Sequence, residues 1–128
     1  MADFGFNPEI KALGPIPPFR MVMVAARAAF TGQTSTTAAK SVLGVTDGSV
    51  SRFGSIYNAE NGDPVNFQPS MTVQVEAGAA ITAGALLASD SAGRAVTATS
   101  GQAAPYIALE AAAATGEIIR AWRINAVA

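Results

Sequence analysis

The sequence predicts a mainly β protein: a small β-barrel or β-sandwich-like domain with little helix and an extended N-terminal arm. The first observation is the alternation at 72–76, where Val73 and Val75 alternate with polar side chains, as in a half-buried strand. The second is a polar turn at 89–94 between two short apolar runs, which indicates a β-hairpin. The third is the alanine run at 111–114, which favours helix by propensity but is too short for a stable one.

The chain divides into an extended Pro-rich arm at 1–18 and a single β-rich domain at 19–128. Its 128 residues are enough for one domain that buries a core of its own. Four of the seven prolines fall in the arm, where each removes a backbone donor and disfavours helix. Alanine supplies much of the apolar content, so large apolar side chains are few and a partner surface is expected to supplement the core.

The arm carries large apolar side chains among its glycines and prolines. Exposed phenylalanines on an extended segment are unfavourable unless something covers them, so the arm is predicted to dock on another chain. A frayed terminus is the alternative. The predicted contact residues of the arm are Phe4, Phe6, Ile10, Leu13, Pro15, Ile16 and Pro17.

Within the domain, short runs of strand-forming residues separated by turn residues predict strands at 19–24, 41–46, 63–68, 86–88, 95–98, 105–110 and 117–124. The polar segment 31–37 is predicted to be a loop. Along the last strand Ile118, Arg120, Trp122 and Ile124 share one face, and Ile119, Ala121 and Arg123 share the other.

A long loop at 49–62 is the second predicted interaction site. Loops of this length without regular structure are usually functional or flexible. Arg52, Phe53 and Tyr57 are predicted to contact sugar or protein through aromatic faces. The alternative, that these side chains fold back as a satellite core, stays open.

The sequence offers no catalytic, cofactor-binding or metal-binding residues, and we expect no enzymatic activity. It contains no Cys and no His, which excludes disulfides, Cys/His zinc sites and Ser-His-Asp triads. Lys40 follows Ala39 instead of the glycine that a phosphate-binding loop requires. Asp90 is explained by the hairpin turn. An enzyme would need paired carboxylates such as Glu110 and Glu117, which are expected to be solvated beside a turn.

The charge balance and the N-terminal sequence argue against nucleic-acid binding and against secretion or membrane insertion. A net charge of −1 with eight scattered Lys and Arg residues gives no basic face for nucleic acid. The N-terminus lacks the basic and apolar regions of a secretory signal, and the apolar run at 77–88 is too short to span a bilayer. We therefore expect a soluble protein made in the cytoplasm.

Two ordered runs of residues carry a resemblance to a known family. The run at 75–96 followed by the run at 107–120 resembles the capsid cement, or head decoration, proteins of tailed bacteriophages. Upstream, the segments at 43–48 and 62–65 also fit. The resemblance covers about 19–124. In this sequence the runs read VEAGAAITAGALLASDSAGRAV, IALEAAAATGEIIR, LGVTDG and GDPV.

The resemblance implies a virion structural protein on the outer surface of the phage head. It would form a homotrimer, bind the major capsid protein and stabilise contacts between capsid subunits, after synthesis in the host bacterial cytoplasm. Each trimer would bridge several subunits, so that modest contacts add into high avidity. The alternative function is a virion-surface module for glycan binding or adhesion that uses the loop around Arg52 and Tyr57.

Overall fold

The structure, a computed structural model, describes residues 10–25 and 31–128. Over these residues the chain forms nine strands in two sheets and no helix. The strands are β1 (Lys11–Ala12), β2 (Met21–Val24), β3 (Thr31–Thr34), β4 (Val42–Val45), β5 (Thr72–Glu76), β6 (Leu86–Ser89), β7 (Ala95–Thr97), β8 (Ala103–Ala108) and β9 (Ile118–Val127).

The N-terminal sheet has the strand order β1-β3-β2-β4, with β1 and β3 parallel and the other pairs antiparallel. The prediction of a loop at 31–37 is wrong for its first four residues, because β3 pairs on both sides, with β1 and β2. Gly32 makes this possible: a Cβ there would lie 3.0 Å from side-chain atoms of Ile10 and Val22. Pairing with distant strands outweighs the low strand propensity of this polar segment.

The predicted strand at 63–68 is also wrong, since the segment forms isolated bridges instead of a ladder. Its first half pairs with the β1 side, where Val65 N donates to Ile10 O at 2.7 Å. Its second half pairs with the β4 side, where Gln68 N donates to Val45 O at 2.9 Å. The segment thus covers both edges of the N-terminal sheet. Pro64, which has no backbone donor, limits a longer ladder.

The C-terminal sheet has the order β5-β9-β8-β6-β7, and all of its neighbouring strands are antiparallel. The predicted β6–β7 hairpin is confirmed. Asp90 Oδ1 accepts the N–H groups of Ala92 and Arg94 at 2.8 and 2.9 Å, and Gly93 takes φ 76°. This turn forms from local chemistry, which explains why the sequence predicts it well.

The main core lies between the two sheets, which confirms the sandwich-like alternative; the described strands form no closed barrel. It combines Met21 and Val45 of the first sheet with Val75, Leu87 and Tyr106 of the second, all buried. A second, smaller core under the first sheet is formed by Ala12, Ile16, Val22, Ala59 and Val65.

Glu76 joins the two sheets by an ion-pair cluster. Its Oε2 accepts hydrogen bonds from Arg20 Nη2 at 3.2 Å and from Arg94 Nε at 2.5 Å. Arg20 Nη1 also donates to Ala92 O at 3.0 Å, in the β6–β7 turn. One carboxylate thereby connects the start of β2, the end of β5 and the hairpin.

The C-terminal strands differ in extent from the prediction. β8 begins two residues earlier than expected, and β9 continues to Val127 past a bulge opposite Pro105. Asn125 adopts φ 51° at this bulge. As predicted, the alanines at 111–114 form no helix; Ala112 instead makes a bridge with Ile81. Among the described residues there is no helix of a length and apolarity suited to crossing a membrane.

Candidate interaction surfaces

The described part of the predicted arm packs against its own chain. Ile16 is fully buried, and its N donates to Ala59 O at 2.8 Å. Ile10 packs on the smaller core, and Pro17 O accepts the Thr46 hydroxyl at 2.7 Å. Leu13 and Pro15 remain exposed.

Phe4 and Phe6 lie outside the described residues. Of the predicted contact residues of the arm that are described, Leu13 and Pro15 are exposed, while Ile16 is buried within the chain. Docking of this segment on another chain stays a prediction, with these two exposed side chains as its described candidates.

The long loop is held by a buried side chain at its base. Asn58 is fully buried, and its Nδ2 donates to Asp47 Oδ1 at 2.9 Å and to Ser49 O at 3.0 Å. Its Oδ1 accepts Asn66 N at 3.1 Å. Since an unpaired buried amide is costly, these bonds hold both ends of the loop in one arrangement.

A second set of contacts stiffens the middle of the loop. Arg52 Nε lies 3.5 Å from Glu60 Oε2, and Arg52 Nη2 lies 3.3 Å from Asp63 Oδ2. Ser55 Oγ donates to Glu60 Oε2 at 2.9 Å and accepts Tyr57 N at 3.0 Å. Arg52 is exposed, so these ion pairs add little stability. They restrict the path of the backbone between Arg52 and Asp63.

The loop presents an apolar tip, which we define as Val50, Phe53 and Ile56. Phe53 is fully exposed, and Ile56 is 73% exposed. Tyr57, in contrast, is half-buried. Phe53 therefore does not fold back into a satellite core. The sequence prediction named Phe53 but missed Val50 and Ile56, whose orientation depends on the fold of the loop.

The second candidate surface is the outer face of the C-terminal sheet. Registered neighbours form a ladder across four strands: Leu86 opposite Ile107, Ile107 opposite Trp122, and Trp122 opposite Thr72. Trp122 is 45% exposed at its centre, and Leu109, Ile118 and Ile124 are exposed nearby. We define the Trp122 face as Leu86, Ile107, Leu109, Ile118, Trp122 and Ile124. The alternation along β9 was predicted, but not which of its faces points outward.

One ion pair lies on the Trp122 face. Arg120 Nε donates to Glu110 Oε2 at 2.8 Å, and this carboxylate also accepts Arg120 N at 2.9 Å. The side-chain hydrogen bond from Arg120 lowers the pKa of Glu110 below its usual value, and the same bond raises the pKa of Arg120. Both side chains are largely exposed, so the pair is available to other charges.

A small cavity of about 120 Å³ lies where β4 meets β8 and β9. Its cations are Lys40 and Arg123. Arg123 donates to three uncharged acceptors: Val42 O at 2.8 Å, Asn125 Oδ1 at 2.7 Å and Tyr106 Oη at 3.2 Å. Arg123 thereby joins the two sheets. No group of three or more acidic side chains suited to a metal ion occurs within residues 10–25 and 31–128.

Comparison with known proteins gives a match in structure. The chain is similar to the crystal structure of the head fiber gp8.5 N base in bacteriophage phi29, with a TM-score of 0.72. The likeness covers 94% of this chain and 95% of that one at 18% sequence identity. At that identity the likeness shows a shared fold. No protein-family description and no curated protein matches the sequence.

Proposed function

We propose that this chain is a structural protein of a tailed-phage virion that binds the outer surface of the head and stabilises contacts between major capsid protein subunits. The observation that carries the proposal is the shared fold with a phage head-fiber base, which extends over nearly the whole of both chains. The ordered sequence runs that resemble head decoration proteins support the same function independently. In this proposal the protein is made in the host cytoplasm and acts on the head as a homotrimer.

The apolar tip is the proposed contact with the capsid. Three exposed apolar side chains project from a loop whose base is fixed by Asn58, so little conformational entropy is lost when the tip docks. Phe53 offers an aromatic anchor of the kind that dominates interface energies. The N-terminal residues 1–9, together with Leu13 and Pro15, are a second proposed contact.

The proposal includes no catalytic activity. Glu110 is paired with Arg120, and Glu117 Oε2 accepts the N–H groups of Ala113 and Ala114 at 3.1 Å. The two carboxylates named from the sequence therefore each have hydrogen-bond partners within the fold.

Co-sedimentation with expanded heads of the encoding phage tests the proposal. The wild type is expected to pellet with heads at saturating stoichiometry, and Phe53→Glu to bind at least tenfold more weakly because it places a charge at the apolar anchor. Ser100→Glu, which adds the same charge at an exposed position between β7 and β8, is the matched control and should bind like the wild type. Absence of wild-type binding would contradict the proposal.

A glycan-binding or adhesion module remains the second candidate, favoured by an exposed aromatic ring next to Arg52. Since Tyr57 is half-buried, Phe53 is the side chain available to stack on a sugar ring. Binding to a glycan array that Phe53→Ala abolishes, without binding to heads, would support this function over the first.

A further inference from the structure

The Trp122 face is a continuous apolar surface on a rigid sheet. Its ladder from Leu86 to Trp122 runs across registered strand pairs, so the side chains stand side by side. The largest contiguous apolar patch on a protein surface is often an interaction site.

The sheet edges offer no equivalent surface within the described part of the chain. Residues 63–68 cover the edges at β1 and β4, and Gly78 N donates to Ala95 O at 2.8 Å along β7. The Gln68 side chain occupies the edge of β5 by bonding to Gln74 N and O. Association by strand addition is thus blocked at these positions, and contact through a face remains.

The charges on the face suit a copy of the same chain. Its charged side chains occur as pairs of opposite sign: Arg120 with Glu110, both exposed, and Glu76, which lies opposite Ile118, with Arg94. A strongly acidic or basic partner would find as many repelling charges as matching ones. A second copy brings one of each, so every charge can find an opposite.

The size of the face indicates a reversible contact. Four strands about 4.8 Å apart and the stretch from Ile118 to Ile124 give a patch on the order of 400 Å². Each partner in a standard stable interface contributes about 800 Å². Contact through this face alone is therefore expected to be concentration-dependent in solution.

We propose that the Trp122 face is the contact between copies of this chain. The inference rests on the proposed function in one respect: it names a surface at which copies of the head-bound protein touch. The apolar tip is left free for the capsid, so the two surfaces have separate partners.

Intrinsic fluorescence reports directly on this face, because Trp122 is the single tryptophan in the sequence. With full-length protein from about 1 to about 200 µM, the emission maximum should shift to shorter wavelength and quenching by acrylamide should fall as copies associate. Light scattering should show the mass rising from 12.9 kDa over the same range.

Two variants on the face and one away from it complete the test. Leu109→Glu keeps the tryptophan but adds a carboxylate to the face, so its emission should stay that of an exposed indole and its mass 12.9 kDa throughout. Trp122→Glu should also remain a monomer, as measured by mass. Phe53→Glu, with the same charge at the apolar tip, should associate like the wild type. Circular dichroism checks that each variant is folded.

Three outcomes would overturn the inference. One is a wild type that stays at 12.9 kDa with an exposed tryptophan at all concentrations. Another is a wild-type monomer whose tryptophan is shielded at every concentration, which would assign the face to a segment of its own chain. The third is a folded Leu109→Glu that associates like the wild type. Head binding is measured separately, so failure of the proposed function is distinguishable from each of these.

Discussion

The side-chain amide of Gln68 pairs with both backbone polar groups of Gln74, as a neighbouring strand would. Gln68 Oε1 accepts Gln74 N at 2.8 Å, and Gln68 Nε2 donates to Gln74 O at 2.6 Å. The same nitrogen donates to Thr46 O at 3.0 Å, beyond the end of β4. One side chain thereby closes the edge of the C-terminal sheet and ties it to the N-terminal sheet.

Removal of this side chain should weaken the fold. We expect Gln68→Ala to lower the free energy of unfolding by about 1 to 2 kcal/mol, because it removes three hydrogen bonds to partly exposed backbone groups. Urea unfolding followed by circular dichroism measures the loss. Gln74→Ala is the matched control: the Gln68 side chain bonds only to the backbone of Gln74, so a change within about 0.5 kcal/mol is expected. Equal losses in the two variants would contradict a stabilising role for the Gln68 side chain at this sheet edge.

The Glu76 carboxylate should contribute more than an exposed ion pair does. Glu76→Gln leaves Arg20 and Arg94 facing each other without the anion between them, so we expect a loss of about 2 kcal/mol in the free energy of unfolding. The three side chains are 13–32% exposed, which weakens the effect relative to a fully buried pair.

Glu110→Gln provides the comparison for Glu76→Gln, since it alters an ion pair at the exposed surface of the same sheet. Its effect on the urea midpoint should be clearly smaller. An unchanged midpoint for Glu76→Gln would show that the cluster contributes no net stability.

Asn58 should control the order of the loop that carries the apolar tip. Asn58→Ala removes the donors to Asp47 and Ser49 and leaves Asn66 N without its acceptor, with an expected loss of about 2 to 4 kcal/mol. Local opening should speed cleavage by trypsin after Arg52.

The matched control for the loop is Asn61→Ala, which alters an exposed amide of the same loop that accepts Gly14 N. Its cleavage rate should stay near that of the wild type. If Asn58→Ala is cleaved no faster than this control, then Asn58 does not order the loop.

Tyr106 should make the fold sensitive to alkaline pH. Burial raises the pKa of Tyr106 above its usual 10.0, although hydrogen bonding and attraction from Arg123 oppose the rise. The unfolded chain then releases the phenolic proton at lower pH than the folded chain does. Stability from this group is therefore complete below pH 10 and lost as pH rises through the folded pKa.

A Tyr57→Phe variant isolates the effect, since the sequence has two tyrosines and Tyr106 then remains alone. Absorbance at 295 nm should show its ionisation above pH 10, together with a falling urea midpoint. In Tyr57→Phe/Tyr106→Phe the alkaline fall should be reduced. Ionisation at or below pH 10 in the native state would contradict the prediction.

Local sequence patterns predicted those elements whose geometry is settled within a few residues. The alternation around Val73 and Val75 predicted β5, and the Asp90 turn predicted the β6–β7 hairpin, because the side chains that define them act on nearby backbone. The polar segment at 31–34 was misassigned because its strand exists only through pairing with β1 and β2, far away in the sequence. Residues 63–68 were misassigned for a related reason. One half of the segment bridges to the sheet edge at β1 and the other half to the edge at β4, so no continuous strand forms.

The candidate surfaces divide in the same way. Phe53 could be named from the sequence as an aromatic side chain in a long loop, and the two faces of β9 could be separated by alternation. Which face carries the core could not be decided, because Ile119 and Trp122 are both apolar. Residues of the N-terminal sheet cover the side of Ile119 and leave the side of Trp122 open.

By itself the sequence determined the β class, the hairpin, the exclusion of His and Cys chemistry and the positions of the large apolar side chains. Only the tertiary structure decided which of those side chains are buried: Ile16 entered a core, whereas Phe53 and Trp122 remained at the surface. The physical reason is that burial depends on contacts between residues far apart in the chain, and the periodicity of a strand distinguishes its two faces without specifying what covers either one.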